Sequence, residues 1–289
     1  MTKQMTEDYP GKKLSTEELK QQLVQDAETK QVKESKFPTE IIDLPSKGKL
    51  YPKDHPLTSG QIEMKYMTAK EEDILTSQNL IQKGIVIDML LRSLIVGNGS
   101  GEKVNYDDLL LGDKNAVMIA ARVLGYGKDY PVEIPCPACQ TKQSETIDLA
   151  GLENKDIAIT ANENLFEFEL PLSKKIITFK LLSHSDEEKI QNEMKRMKKK
   201  THSSTISYDL TSRLKQIIIA VDGDETRSTI NSFVENEFIS RDSLAFRTNL
   251  ENVTPDVDMS IYFECDECGH ETTIPIPMSV EFFWPRAWI

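Results

Sequence analysis

Cysteine is scarce in this chain of 289 residues, with four copies, as are histidine, also with four, and tryptophan, with two. No apolar run approaches the roughly 20 residues that cross a bilayer, so no helical membrane span is expected. The first residues, MTKQMTEDYPGKK, are polar and lack the apolar stretch of a secretory signal, which points to a protein that folds in a reducing cytoplasm. Stable disulfides do not persist there. Positive charge is also short: 35 Lys and Arg face 47 Asp and Glu, for a formal net charge of -12, which argues against nonspecific binding to nucleic acid. Missing too are the phosphate loop GxxxxGK[ST], a GxGxxG turn after a strand, HExxH and GxSxG. His55, His184, His202 and His270 stand in no recognisable catalytic context, and the carboxylates of Asp107, Asp108 and Asp186 to Glu188 sit where helix starts favour negative charge. No catalytic constellation emerges, and the expectation is a protein that is not an enzyme.

What the chain does contain is enough apolar material, 38%, to bury a sizeable core. Residues 1–36 are polar and form a candidate flexible arm, in which Ser15 and Glu18 make a capping box ahead of one weak helix. From Phe37 the chain becomes rich in proline and glycine, with Pro38, Pro45, Pro52 and Pro56 separating short extended pieces. Ile62, Met64 and Tyr66 alternate with polar residues as in a half-buried strand, and the pair Thr68 and Glu71 predicts a helix start. Helices are expected over 69–79 and 80–96. In the next helix Asp113 is the expected cap and Gly125 the expected stop. Residues 165–182 predict a hairpin turning near Pro171 to Lys174. Further helices are expected from a capping box at Ser185 and Glu188, over 207–221, and from Ser240. The run Lys195 to Lys200 fits an exposed helix end, where cations complement the dipole, or a contact with phosphate or an acidic partner.

The four cysteines fall in two segments that resemble each other, VEIPCPACQTKQSETIDL and IYFECDECGHETTIPIPM. Each places a β-rich run before a CxxC and another after it, which predicts two hairpins whose tips carry two thiolates apiece. Two such tips facing each other give four sulfurs at tetrahedral positions, so Cys136, Cys139, Cys265 and Cys268 are the expected ligands of one structural Zn2+. A catalytic zinc keeps an open position for water, which four thiolates leave no room for. An iron–sulfur cluster and a redox CxxC pair are the alternative readings of the same residues. His270 is expected beside the site rather than in it. Closing a loop of such length costs entropy only as the logarithm of its length, so the metal can act as a clasp. The expected fold class is α+β, a helical core plus short antiparallel strands, with a zinc-ribbon-like site joining the two distant hairpins. The expected organisation is the arm at 1–36, an N-terminal lobe at 37–150 with the first knuckle, an inserted α+β lobe at 151–260, and the second knuckle with the C-terminal strand at 261–289. At the C-terminal end, Phe282, Phe283, Trp284 and Trp288 either anchor a partner or close the core beside the metal site.

The segment LPSKGKLYPKDHPLTSGQIEMKYMTAKEEDILTSQNLIQKGIVIDMLLRSLI resembles the T4-like bacteriophage baseplate protein family, the hub-assembly component of contractile tails, which shares the LPSKG-x-LYP opening and the YMTxKEEDIL block. GDKNAVMIAARVLGYG, the CPAC knuckle, and SRDSLAFRTNLENVTPDVD followed by CDEC are similar to that family as well, so the resemblance spans residues 37–289. It implies a non-enzymatic subunit of the baseplate hub or of its assembly intermediate, in contact with other hub proteins and with the tape-measure protein. It also implies a place in the host cytoplasm during assembly and in the virion tail if retained. Two alternatives stand beside it: a nucleic-acid-binding zinc-ribbon protein, and an assembly chaperone not retained in the virion.

Overall fold

The computed structural model describes residues 38–159, 161, 163–200, 209–278 and 282–284, leaving aside the side chains of 197–200. The expectations for the 1–36 arm, most of the Lys195 to Lys200 run and Trp288 fall outside those residues or side chains. The fold is α+β. A first sheet has the antiparallel order β1 (Thr39–Asp43), β2 (Gln61–Lys65) and β3 (Ile95–Gly97). Alternation in β2 turns Ile62 and Met64 fully into the core while Glu63 and Lys65 stay half-buried. Helix α1 (Ala69–Thr76) then starts where the sequence signal puts it: the Glu71 carboxylate accepts the Thr68 N–H at 3.0 Å and also its hydroxyl. The same carboxylate, wholly buried, takes the Lys65 ammonium at 2.7 Å.

Burial pushes the Glu71 carboxyl upward, but the hydrogen bonds from Lys65 and Thr68 win and hold it below the usual range. A carboxylate lowered on folding contributes stability above its unfolded pKa, about 4.3, and loses it as the pH falls through the folded value. Glu71→Gln is therefore expected to destabilise the protein at pH 6.5, and the gap between the two urea midpoints should shrink towards pH 3. A gap independent of pH would contradict this.

The expected 80–96 helix is divided. Helix α2 (Gln78–Lys83) ends at Gly84, whose φ of 70° makes a left-handed cap, and α3 (Val86–Leu94) gives way to β3 at Ile95. In α3, Leu90, Leu91 and Leu94 are fully buried. Helix α4 (Leu111–Tyr126) likewise runs one residue past Gly125 and stops at Gly127, φ 83°.

Asp113 does not cap α4. The helix begins two residues earlier, and the carboxylate turns inward to accept Ser46 N–H at 2.9 Å, Ser46 Oγ at 2.7 Å and Tyr51 Oη at 2.6 Å. Tyr51 Oη in turn accepts the Leu110 N–H at 3.0 Å. The LPSKGKLYP turns are thus pinned to the start of α4 by a buried polar network. Beside it, Gly112 permits close contact with the 254–256 loop, because a Cβ there would lie 1.8 Å from the Pro255 carbonyl oxygen. Gly112→Ala is expected to cost about 1–3 kcal/mol or more, the range for overpacking, and urea unfolding would show it.

Two hairpins follow one another only at a distance in sequence: β4 (Asp129–Pro135) with β5 (Lys142–Asp148), and β9 (Ser260–Glu264) with β10 (Glu271–Pro275). Tyr130, Val132 and Ile134 face the core while Asp129, Pro131 and Glu133 face solvent. Another three-stranded sheet has the order β6 (Phe166–Glu169), β7 (Ile176–Phe179) and β8 (Ile218–Val221), and the turn between β6 and β7 lies where the hairpin was expected. Helix α5 (His184–Lys200) begins one residue after Ser183, whose Oγ accepts the Asp186 N–H at 3.4 Å, so the cap pair lies two residues before the expected Ser185 and Glu188. Helix α6 (Asp209–Ile217) is shorter than expected, since Ile218 to Val221 leave it to pair with β7. Helices α7 (Arg227–Ser232) and α8 (Ser240–Val253) complete the described α-helices, with α8 starting where the sequence predicts.

Buried apolar residues form two clusters. One holds the first sheet, α1, α3 and α4 together with the inner faces of both hairpins. The other is built around Phe179, Ile190, Phe233 and Phe246, and partly buried Phe166, Leu250 and Val253 pack against both.

Candidate metal centre

The two knuckles repeat one backbone design. In the first, Cys136 N–H donates to Thr141 O at 2.9 Å and Gln140 N–H donates to Cys136 O at 2.9 Å. In the second, Cys265 N–H donates to His270 O at 3.0 Å and Gly269 N–H donates to Cys265 O at 2.8 Å. Gln140 and Gly269 hold the same position in each, and both have a φ of 64°. That left-handed residue turns the chain back so that both thiols of a CxxC point to one side of the tip.

The tertiary fold sets the tips face to face. Cys136 Sγ lies 3.7 Å from Cys268 Sγ, Cys139 Sγ lies 3.7 Å from Cys265 Sγ, and all four sulfurs fall within 4.8 Å of one another. None is in a disulfide, and the cross-hairpin distances are well beyond the roughly 2.05 Å of an S–S bond. The four cysteines are therefore placed to hold a metal ion. Cys136 and Cys265 form the buried inner side, 0% and 2% exposed, while Cys139 and Cys268 face outward.

Electrostatics favours a cation at the centre. Hydrogen bonds from Thr141 first, and then from neighbouring thiols, bring the Cys139 thiol down to about 6. Cys268 moves the other way, up to about 12: a backbone hydrogen bond at His270 favours its thiolate, but desolvation and the neighbouring sulfurs of Cys139, Cys265 and Cys136 prevail. Four thiolates cannot share so small a volume unless a positive charge sits among them. His270 contributes its carbonyl to the knuckle and is not among the clustered ligand atoms.

One residue of the site carries no motif and was not singled out from the sequence. Gln143, on β5, donates from Nε2 to Glu264 O at 3.1 Å and accepts the Asp266 N–H at Oε1 at 3.0 Å. It ties the first hairpin to the backbone of the second beside the sulfurs. Near the start of β4, Tyr130 Oη donates to Pro277 O at 3.0 Å.

Of the C-terminal aromatic residues, Phe282 and Phe283 lie in the first apolar cluster, 2% and 4% exposed. Phe282 meets Tyr130 edge-on with ring centroids 5.2 Å apart, and the two phenylalanines meet at 4.9 Å. Trp284 is half-buried and donates its indole N–H to Leu75 O at 3.0 Å.

Among the described residues, no helix is long and apolar enough to cross a membrane. No curated protein and no solved structure matches the chain. The family model described as T4 bacteriophage base plate protein matches residues 36–284. That match takes in both knuckles, the LPSKGKLYP turns and, among the described residues, every strand. The chain belongs to the T4 bacteriophage base plate protein family.

Proposed function

We propose that the protein is a non-enzymatic structural or assembly subunit of the baseplate hub of a contractile-tailed phage, with one structural Zn2+ on Cys136, Cys139, Cys265 and Cys268 as the clasp of its fold. The family match over residues 36–284 carries the baseplate reading. The zinc reading rests on the sulfur geometry. Ligands about 2.3 Å from a tetrahedral metal lie about 3.8 Å apart, and the cross-hairpin sulfurs stand at 3.7 Å. A full shell of thiolates suits a structural ion, because no position remains for a reacting water.

The clasp joins the lobe at 37–150 to the segment at 261–289 and encloses the lobe at 151–260 between them. A cavity of about 240 Å³ between the apolar clusters is lined mainly by aliphatic side chains such as Leu110, Leu181, Leu182, Ile217 and Leu250. Its ionisable residues are already engaged, Asp113 by Ser46 and Tyr51, and Arg213 by Glu187 and Asp209.

Partners in this reading are other hub proteins and the tape-measure protein, reached in the host cytoplasm during assembly. Mass spectrometry and cryo-electron microscopy of purified tails test it. The chain is expected in the baseplate, in contact with hub subunits. Its absence from complete tails, together with a need for it during assembly, would favour the chaperone reading, and baseplates that form normally without it would defeat both.

A further inference from the structure

We propose that Asp107, His184 and Glu188 form a second cation site, separate from the cysteines, that takes a divalent first-row metal suited to one imidazole and two carboxylates. The inference rests on neither the family nor the thiolate zinc. The three residues converge where the 106–108 turn meets α5, and their ligand atoms all lie within 4.8 Å of one another.

His184 is the telling member. It is 2% exposed, and its Nε2 has no hydrogen-bond partner, although a buried polar atom without one is costly. What surrounds that nitrogen is acidic: Glu188 Oε1 at 3.6 Å, Asp88 Oδ1 at 3.8 Å and Asp107 Oδ1 at 4.0 Å. These contacts are too long for hydrogen bonds. Ligand atoms about 2.1 Å from a tetrahedral metal are about 3.4 Å apart, so a cation would draw the Glu188 and Asp107 oxygens towards Nε2 from 3.6 and 4.0 Å. His184 and Glu188 stand one turn apart on α5, the spacing that puts two side chains on one face. Glu188 is half exposed and leaves a path for the ion and its water.

The local charges fit. Asp88, Asp107 and Glu188 face Arg92 and Lys114, so with a neutral imidazole one negative charge is in excess. Burial first, and then Lys114, lower the pKa of the imidazole. Arg92 retains Asp107 through Oδ2, 3.1 Å from Nη1, when Oδ1 turns to the metal. Arg92 Nη2, now hydrogen-bonded to Asp107 Oδ1 and 3.8 Å from Glu188 Oε1, must give up those oxygens, and Lys114 must adjust as well. The Lys114 Nζ lies 3.2 Å from His184 Nδ1 and 2.8 Å from Asp88 Oδ1. A metal on Nε2 places the ring proton on Nδ1, so Lys114 keeps Asp88 and releases the histidine.

The test uses the full chain with its cysteines zinc-loaded, so that the thiolates are already occupied. Mn2+, which prefers carboxylates over thiolates, is titrated and followed by electron paramagnetic resonance. The expected result is one Mn2+ bound per chain with zinc content unchanged. Glu188→Gln, at an exposed position, should keep its thermal transition and bind at least about tenfold more weakly. Lys114→Met should bind more tightly. No binding at millimolar Mn2+, unchanged binding in Glu188→Gln, or weaker binding in Lys114→Met would each overturn the site.

Discussion

Cys139→Ser is expected to abolish the cooperative thermal transition as thoroughly as Cys136→Ser or Cys265→Ser. Binding energies of structural zinc in peptide models are on the order of 10 kcal/mol or more, comparable with the roughly 5–15 kcal/mol that holds a domain together. Losing one ligand of four removes much of that. The exposed position is the informative one, because Cys139 lies on the outer side of the site whereas Cys136 and Cys265 are buried. A serine hydroxyl in an apolar interior costs about 1–3 kcal/mol by itself, so a defect confined to the buried pair would reflect polarity and packing. A defect shared by Cys139 reflects ligand count. Metal analysis should find one zinc per wild-type chain and a strongly reduced content in each variant, and scanning calorimetry should show the transition lost. A native-like transition in metal-free Cys139→Ser would sink the clasp. Prolonged chelation of the wild-type protein should reproduce the variants.

Asp113→Ala is the second large effect, far from the metal. It removes the acceptor of three donors at once, Ser46 N–H, Ser46 Oγ–H and Tyr51 Oη–H, at a site where Ser46 is 0% and Asp113 1% exposed. Each buried donor left unsatisfied costs about 1–3 kcal/mol, and the two hydroxyls can rotate in partial compensation, so a loss of about 3–5 kcal/mol is expected. Burial already pushes the Asp113 carboxyl above its usual range in spite of these donors, so the carboxylate is held there at a cost. Tyr51→Phe should lose less, about 1–3 kcal/mol, because it deprives the Leu110 N–H of its acceptor and Asp113 of one donor. Urea unfolding of both single variants and the double variant measures the coupling. If the network acts as a unit, the double variant is less destabilised than the sum. Strict additivity would show that Asp113 and Tyr51 stabilise the fold independently of each other.

Much of the local structure was legible in the sequence because its causes are local. Alternation announced β2, the Thr68 and Glu71 pair announced α1, and the cysteine segments announced two hairpins with thiols at their tips. Two of the misplaced boundaries share one cause. The run 80–96 and the end of the run 207–221, from Ile217 to Val221, are apolar on most sides, and periodicity cannot tell a buried helix from a buried strand there. Ile95 to Gly97 and Ile218 to Val221 became strands because β2 and β7 offered free edges. Asp113 looked like a cap because a carboxylate near a helix start commonly is one. Its actual partners, Ser46 and Tyr51, are more than 60 residues away in sequence.

The metal centre divides along the same line. The sequence alone determined which atoms are available: four thiols, two to a tip, on hairpins stiffened by alternating apolar residues. Only the tertiary structure decided that the tips meet, with cross-hairpin sulfurs at 3.7 Å and Gln143 bridging the backbones. A CxxC turn is fixed by neighbours a few residues apart, whereas the approach of two hairpins depends on the core that both of them enter through Tyr130, Ile134 and Phe263. The same holds for His184, whose unpaired nitrogen acquires its acidic surroundings only when α3, α5 and the 106–108 turn come together.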